Sequence, residues 1–212
     1  KYFEDVSCIS MNLRENEEGL IKSEVIGSAA VNVAGTGVLF KFDTREYYEH
    51  LRNPFERLTD KVTLDLLSTY IFGDNGIFND YMCSKGYTNG NANFEFEMND
   101  AYRHLYVSFF SPDFCEKIAS HMIKFIKYAN TRAFSKKKFL LAKKMLYSDI
   151  LRMFESESKL LEMILELYYF GIELEDYIDY LLRITKEEMQ STLSYILKNG
   201  TFYALSLVSP ED

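Results

Sequence analysis

Residues 46–50, Glu-Tyr-Tyr-Glu-His, have the clearest potential for chemistry in this sequence. They differ by one residue from H-x-x-E-H, a zinc-binding signature whose two histidines hold the metal while the glutamate acts as general base. Glu46 takes the place of the first histidine, and Glu46 and His50 would share one face of a helix. The stretch is therefore a zinc site, the relic of one, or a chance arrangement.

Two features of this stretch argue against a working zinc site. A carboxylate at position 46 adds negative charge, which would raise the pKa of a zinc-bound water and oppose the formation of hydroxide. Pro54 follows closely, so little helix remains to hold the ligands rigidly. We interpret the stretch as an exposed loop or short helix, in which Glu46, Glu49 and His50 are only weak candidates for metal ligands. We predict no metal and no other cofactor in this chain.

Other residues that could do chemistry are scattered along the sequence. His104 and His121 belong to different elements and have no ligand spacing, and no phosphate-binding, nucleophile-elbow or dinucleotide-binding motif occurs. Cys8, Cys83 and Cys115 are far apart and odd in number, which favours reduced thiols in a cytosolic protein over a disulfide framework. We therefore predict no catalytic residue.

Charge and hydropathy exclude two classes of partner. The net charge of the 212 residues is −8, whereas a surface that neutralises nucleic-acid phosphates has to be basic. No apolar run approaches the roughly 20 residues that span a bilayer. We expect a cytoplasmic protein that contacts neither nucleic acid nor membrane. The first residue is Lys1 rather than Met, which we interpret as the start of an excised segment of a longer chain or of a processed product.

The pattern of elements predicts one α+β domain that covers residues 1–212. Residues 1–43 are expected to form entry strands, residues 44–58 a connection, and residues 59–212 a helix-rich body that closes with a final strand. Strands separated by long helical stretches favour a two-layer arrangement, with one largely antiparallel sheet packed against several helices.

Several local signals place the individual elements. Strands are predicted at 7–13, at 35–43 and at 201–208, and a β-hairpin at 87–110. A helix is expected to begin at 59–60 and to end before a glycine. The helix-start signals are Thr59 with Asp60, Ser135, Ser156, and Thr185 with Glu188 as a capping box; Gly73 and Gly200 are the corresponding stops.

Three phrases of the sequence together resemble one half-unit of the pitrilysin family, the zinc peptidases with the inverted motif, which include insulysin and the mitochondrial processing peptidase. Residues 183–211, RITKEEMQSTLSYILKNGTFYALSLVSPE, resemble the family's domain ending. Residues 139–171 resemble its long helix pair, which breaks at a serine-containing turn. Residues 63–97 resemble its helix, glycine turn, short helix and strand entry.

This resemblance implies a fold in which one half-unit is catalytic and the other is not. Two half-units of the family pair to enclose a peptide-sized chamber, and this chain is similar to the non-catalytic, C-terminal type, in which the zinc motif is normally absent. We therefore expect a dimer in which zinc and the general base belong to a partner half, either in the same polypeptide or in a separate subunit. The substrate would be a peptide.

Two other functions stay open at this point. The chain could be a catalytically inactive scaffold or adaptor of the same fold, as in respiratory complexes, or an independent zinc peptidase that uses Glu46, Glu49 and His50. A neighbouring H-x-x-E-H domain in the parent gene would favour the half-unit, and its absence from the complex would favour the scaffold.

The resemblance also implies where a substrate would bind. The family's non-catalytic half-unit offers an Arg–Tyr pair that anchors the peptide backbone, and Arg152 is the only arginine in the corresponding stretch, ILRMFESESKLLEM. Nearby, Tyr168, Tyr169, Tyr177 and Tyr180 lie among acidic residues, where they could grip an extended peptide or form a packing face between two helices. We take Arg152, Tyr168 and Tyr169 as the candidate substrate-binding residues.

Overall fold

The fold combines one mixed sheet with a layer of helices. The computed structural model describes residues 24–28, 34–42, 53–86, 93–98, 103–111, 117–131 and 135–208. Within these ranges, the elements in chain order are β1 (Glu24–Ser28), β2 (Ala34–Phe42), α1 (Pro54–Phe72), α2 (Ile77–Ser84), β3 (Asn93–Met98), β4 (Arg103–Ser111), α3 (Ile118–Thr131), α4 (Lys136–Met153), α5 (Glu157–Tyr169), α6 (Leu174–Arg183), α7 (Lys186–Asn199) and β5 (Gly200–Val208). None of these helices has the length and hydrophobicity that a bilayer-spanning segment needs.

The sheet has the strand order β1-β5-β2-β4-β3. The pair β1–β5 is parallel, and the other three pairs are antiparallel. The predicted strand at 35–43 and the predicted hairpin are confirmed as β2 and β3–β4, whereas the predicted strand at 7–13 lies outside the described residues. Because β5 is inserted between β1 and β2, the end of the chain ties the early strands to the helical body.

Helix α1 lies at the centre of the helical layer and begins earlier than predicted. Its N-cap is Asn53, whose side-chain oxygen accepts a hydrogen bond from the N–H of Phe55 at 3.0 Å. The predicted start at 59–60 is wrong because Pro54 is not a stop here. A proline at the first helical position loses no hydrogen bond, since that N–H has no partner within the helix. The predicted end at Gly73 is confirmed.

The helical layer packs on one face of the sheet, as the two-layer prediction requires. Alternate residues of β2 and β4 point into this core, and the inner face of α1 meets them. Phe78 on α2 lies at the centre of an aromatic cluster, with ring centroids 5.5 Å from Phe72 and 5.8 Å from Phe109. The buried residues of the sheet side include Val38, Phe40, Leu105, Val107 and Phe109.

The helix ends follow the predicted capping signals. The hydroxyl of Ser135 accepts a hydrogen bond from the N–H of Lys138 at 3.4 Å. Thr185 and Glu188 form the predicted capping box, with N–H···O distances of 2.7 Å and 3.2 Å. Ser156 occupies the N-cap of α5, but its side chain makes no capping hydrogen bond. The capping hydrogen bonds set where α4 and α7 begin.

Candidate functional site

Residues 46–50, which differ by one residue from H-x-x-E-H, lie outside the part of the chain that the structure describes. Glu46, Glu49 and His50 belong to residues 43–52, so their role as weak metal candidates stays a prediction. Among the described residues, no group of three His, Cys, Asp or Glu side chains is placed to hold a metal ion. The residues that can be assessed therefore do not fit a zinc site.

The three predicted substrate-binding residues lie on the outer helices. The Arg152 side chain is 73% exposed at the end of α4, and its guanidinium donates to the Asp149 carboxylate at 3.2 Å. Tyr168 and Tyr169 are 75% and 60% exposed on α5. All three are accessible, and their role in binding a substrate stays a prediction.

Tyr177 and Tyr180 have a different environment from these exposed residues. Only 1% of Tyr177 and 4% of Tyr180 is exposed, so the interpretation of this tyrosine-rich segment as a packing face is confirmed for α6. The phenol of Tyr177 donates to Asp65 at 2.6 Å. These two side chains hold α6 on the body and are not available to a peptide.

A buried ionic network joins α1, α5 and α6. Lys61, which is 8% exposed, lies 3.1 Å from the Asp65 carboxylate and 2.7 Å from that of Glu166. Burial alone would lower the pKa of Lys61, but the two carboxylates raise it above the ordinary value. Burial and the same carboxylates hold the pKa of Tyr177 well above its usual range. Perturbed groups often mark functional sites, but these satisfy one another and serve the packing of three helices.

One face of the sheet offers an apolar surface for binding. On β4, Leu105, Val107 and Phe109 point to the helices, while Tyr106 and Phe110 point to the opposite, open face and are 41% and 53% exposed. Gly37 pairs with Leu205 of β5, which is 47% exposed on the same face. We call the set Gly35, Gly37, Tyr106, Phe110 and Leu205 the open sheet face.

Two glycines allow the aromatic rings of this face to lie flat. A Cβ atom on Gly37 would be 2.8 Å from the hydroxyl oxygen of Tyr106, and one on Gly35 would be 3.0 Å from the ring of Phe110. The rings therefore lie across β2, which leaves a flat apolar surface. This surface was not predicted from the sequence. The Gly-x-Gly of β2 and the alternation in HLYVSFF are its signals, and the register of β2 against β4 combines them.

Polar side chains lie beside Tyr106, at one end of the open sheet face. Glu95 pairs across the sheet with Tyr106, and Lys41 pairs with His104, so all four side chains project to the same side. Within the described residues this face has no cluster that could act as a metal centre. It can bind apolar side chains and offer hydrogen bonds to an extended backbone.

A separate cleft of about 480 Å³ lies between the start of α1 and α6. The Arg183 guanidinium lies 5.8 Å from the ring of Phe55 and 4.9 Å from that of Tyr180. Asp176 and Asp179 line the same cleft, so both signs of charge are present. This mixed lining does not favour one class of ligand.

His121 on α3 is the described histidine with a shifted pKa. Its ring stands edge-on to Tyr81 with centroids 5.4 Å apart, and its Nδ1 is buried with no hydrogen-bond partner. Burial lowers the pKa of His121 below 6.5, and Lys124, Lys117 and Lys85 lower it further.

The lowered pKa of His121 predicts a pH dependence of stability. The unfolded chain takes up this proton first as the pH falls below about 6.5. The contribution of His121 to the free energy of unfolding is therefore fully present above that pH and is lost as the pH falls through the lower pKa of the folded state. Titration of the imidazole by NMR should give a pKa below 6.5, and His121→Gln should weaken the acid-side loss of stability in urea unfolding. A pKa at or above 6.5 would contradict the assignment.

The fold resembles that of known proteins, although the sequence alone does not match any of them. No family profile matches the sequence, and no curated protein matches it. Solved structures do match. A protein assigned as an M16-like peptidase from Alicyclobacillus acidocaldarius superposes with a TM-score of 0.72 at 13% identity over 89% of this chain and 44% of its own. This chain thus spans less than half of that protein.

Two further solved structures show the range of the likeness. One is the inactive peptidase domain of a protein from Bordetella parapertussis that is assigned as a zinc protease. It matches with a TM-score of 0.61 at 13% identity, over 84% of this chain and 92% of its own. A chain of complex III from Candida albicans matches with a TM-score of 0.62 at 10% identity, over 86% and 45%. The chain therefore has the α+β fold of an M16 peptidase half-unit, the fold that the resemblance to the pitrilysin family implies.

Proposed function

We propose that this chain is the non-catalytic half of a pitrilysin-like zinc peptidase, in which it forms one wall of the peptide-binding chamber. A zinc-bearing half, in the same polypeptide or in a separate subunit, would supply the metal and the general base. The complete assembly would be a pair of half-units that acts on peptides in the cytoplasm. This chain would contribute shape and apolar contacts.

The observation that carries this proposal is the open sheet face. Within the described residues, the helices pack on one side of the sheet, and Tyr106, Phe110 and Leu205 are exposed on the other side. An extended peptide can lie on such a surface with its apolar side chains against the rings. The likeness to an inactive peptidase domain supports a binding role over a catalytic one.

The test of this role reconstitutes the chain with the H-x-x-E-H polypeptide from the same gene or genome. We expect the pair, and not the chain alone, to hydrolyse a quenched fluorescent peptide in a chelator-sensitive manner. Tyr106→Ala with Phe110→Ala should lower kcat/KM about tenfold, because about 1.4 kcal/mol of apolar contact is a small part of what two rings bury. Phe55→Ala is the matched control, since Phe55 is as exposed as Phe110, at 53%, but lies on α1.

Two results would refute the half-unit function. The isolated chain could hydrolyse the peptide with one zinc ion per chain in elemental analysis, which would make it an independent peptidase that uses Glu46, Glu49 and His50. Alternatively, the double variant could leave kcat/KM unchanged in an active pair, which would remove the open sheet face from the chamber.

A second candidate function is a catalytically inactive scaffold of the same fold. The similarity to a chain of complex III favours it, because that chain belongs to a respiratory assembly. A scaffold predicts a stable complex that contains this chain and hydrolyses no peptide. The reconstitution described above separates the two functions by the presence or absence of chelator-sensitive turnover.

A further inference from the structure

Helix α5 has an apolar stripe that the described part of the chain leaves exposed. Leu161, Ile164, Leu165 and Tyr168 follow the i, i+3, i+4, i+7 spacing of one helix face, and they are 56%, 41%, 57% and 75% exposed. Leu167, the buried residue of this helix, is not part of the stripe. The stripe is therefore not the face that holds α5 on the body.

The stripe belongs to a larger concentration of exposed apolar side chains. Sixteen large hydrophobic residues are exposed in the described part of the chain, and nine of them lie between residues 136 and 169. Scattered exposed residues need no explanation, but four on one face of a single helix form a contiguous apolar patch, which marks an interaction surface. Leu151 and Phe154, at the end of α4, are 49% and 53% exposed and extend the surface towards the α4–α5 turn.

The charges around the stripe identify the chemistry of its partner. Glu155, Glu157 and Glu162 lie in the turn before α5 and on α5 itself, where Lys159 is the one basic residue. Glu166 is not part of this border, because it faces the body and binds Lys61 of α1 at 2.7 Å. An apolar stripe with an acidic border is complementary to an apolar stripe with a basic border.

We propose that the α5 stripe is the docking site for an amphipathic helix of another protein, with lysines or arginines beside its apolar positions. A second copy of this chain is a poorer partner, because two α5 stripes would bring their glutamates together, and like charges at an interface are unfavourable. The stripe lies on an outer helix that packs on α4, away from the open sheet face. The proposal therefore goes beyond the chamber wall and does not depend on it.

The direct test uses two synthetic helical peptides with the same leucine stripe. One has lysines and the other has glutamates at the flanking positions, and binding to the full chain is measured by fluorescence anisotropy at low and high salt. We expect the lysine peptide to bind at least about tenfold more tightly than the glutamate peptide, with an affinity that falls as salt is added. Equal affinities, or no binding of the lysine peptide, would overturn the proposal.

Matched variants locate the binding site. Leu165→Glu should weaken binding of the lysine peptide at least about tenfold. Leu182→Glu is the control, because Leu182 is also a leucine on an outer helix and is 55% exposed, but it lies on α6 outside the stripe. Circular dichroism should show both variants folded, since both positions are exposed. Equal losses of affinity in the two variants would refute the assignment to α5.

Sedimentation of the chain without peptide tests the alternative occupant. We expect no self-association that depends on the stripe. A wild-type dimer that Leu165→Glu dissociates and Leu182→Glu does not would mean that a second copy covers α5, and it would overturn the proposal of a basic partner helix. These measurements need no catalytic half, so their outcome is independent of the proposed peptidase function.

Discussion

Replacing Lys61 by methionine is expected to lower the free energy of unfolding by about 3 kcal/mol. Removing one partner of a buried ion pair typically costs about 3–5 kcal/mol, because the remaining charge stays buried without compensation. The lower end applies here, since Glu166 is half-exposed and Tyr177 still donates to Asp65. Methionine keeps the apolar stem of the lysine, so the loss reports the charge and not a cavity. Urea unfolding at neutral pH measures it.

The surrounding network supplies the controls for this experiment. Lys159→Met changes the same residue type at an exposed position of α5 and should alter the free energy of unfolding by less than about 0.5 kcal/mol. The raised pKa of Lys61 adds a pH dependence. The contribution of Lys61 to the free energy of unfolding is fully present below the pKa of about 10.5 in the unfolded chain. It is lost as the pH rises through the higher pKa of the folded state. Equal stabilities of the two variants would show that the Lys61 network is not stabilising.

Replacing Phe78 by alanine is expected to lower the free energy of unfolding by about 4 kcal/mol. Truncating a buried phenylalanine costs about 3–5 kcal/mol, from lost transfer free energy and the cavity left behind. Phe78 is fully buried, and its ring meets Phe72, Phe109 and Phe125 edge-on at 5.5, 5.8 and 5.6 Å. These rings come from α1, α2, α3 and β4, so one truncation loosens the contact between the two layers.

An exposed phenylalanine provides the comparison for Phe78. Phe154 is 53% exposed at the end of α4, and Phe154→Ala should cost less than about 1 kcal/mol in the same urea titration. Phe78→Leu should be intermediate, because leucine fills part of the cavity. If Phe78→Ala and Phe154→Ala have equal effects, the aromatic cluster is not the centre of the core.

Local signals were sufficient for most of the elements. The capping box at Thr185 and Glu188 depends on residues within one helical turn, so its chemistry is readable directly from the sequence. The start of α1 shows the limit of such signals. Pro54 can end one segment or begin the next, and the choice depends on the side chain of Asn53, which accepts the hydrogen bond from the first turn.

The candidate binding surface could not be read from local signals. Tyr106 and Phe110 are separated from Gly37 and Gly35 by about seventy residues of sequence, and only the register of β2 against β4 brings them together. The same holds for Lys61 and Glu166, which meet across two helices. The tyrosines of residues 168–180 form one group in the sequence, but packing divides them into an exposed pair and a buried pair.

By itself the amino-acid order determined the elements, the two-layer class and the resemblance to a peptidase half-unit, because helix caps, strand alternation and turn residues act over a few neighbouring positions. Among the described residues, only the tertiary structure decided which face of the sheet is exposed, which lysine is buried and which face of α5 is exposed. These properties depend on strand register and on helix packing, which join residues that are distant along the chain.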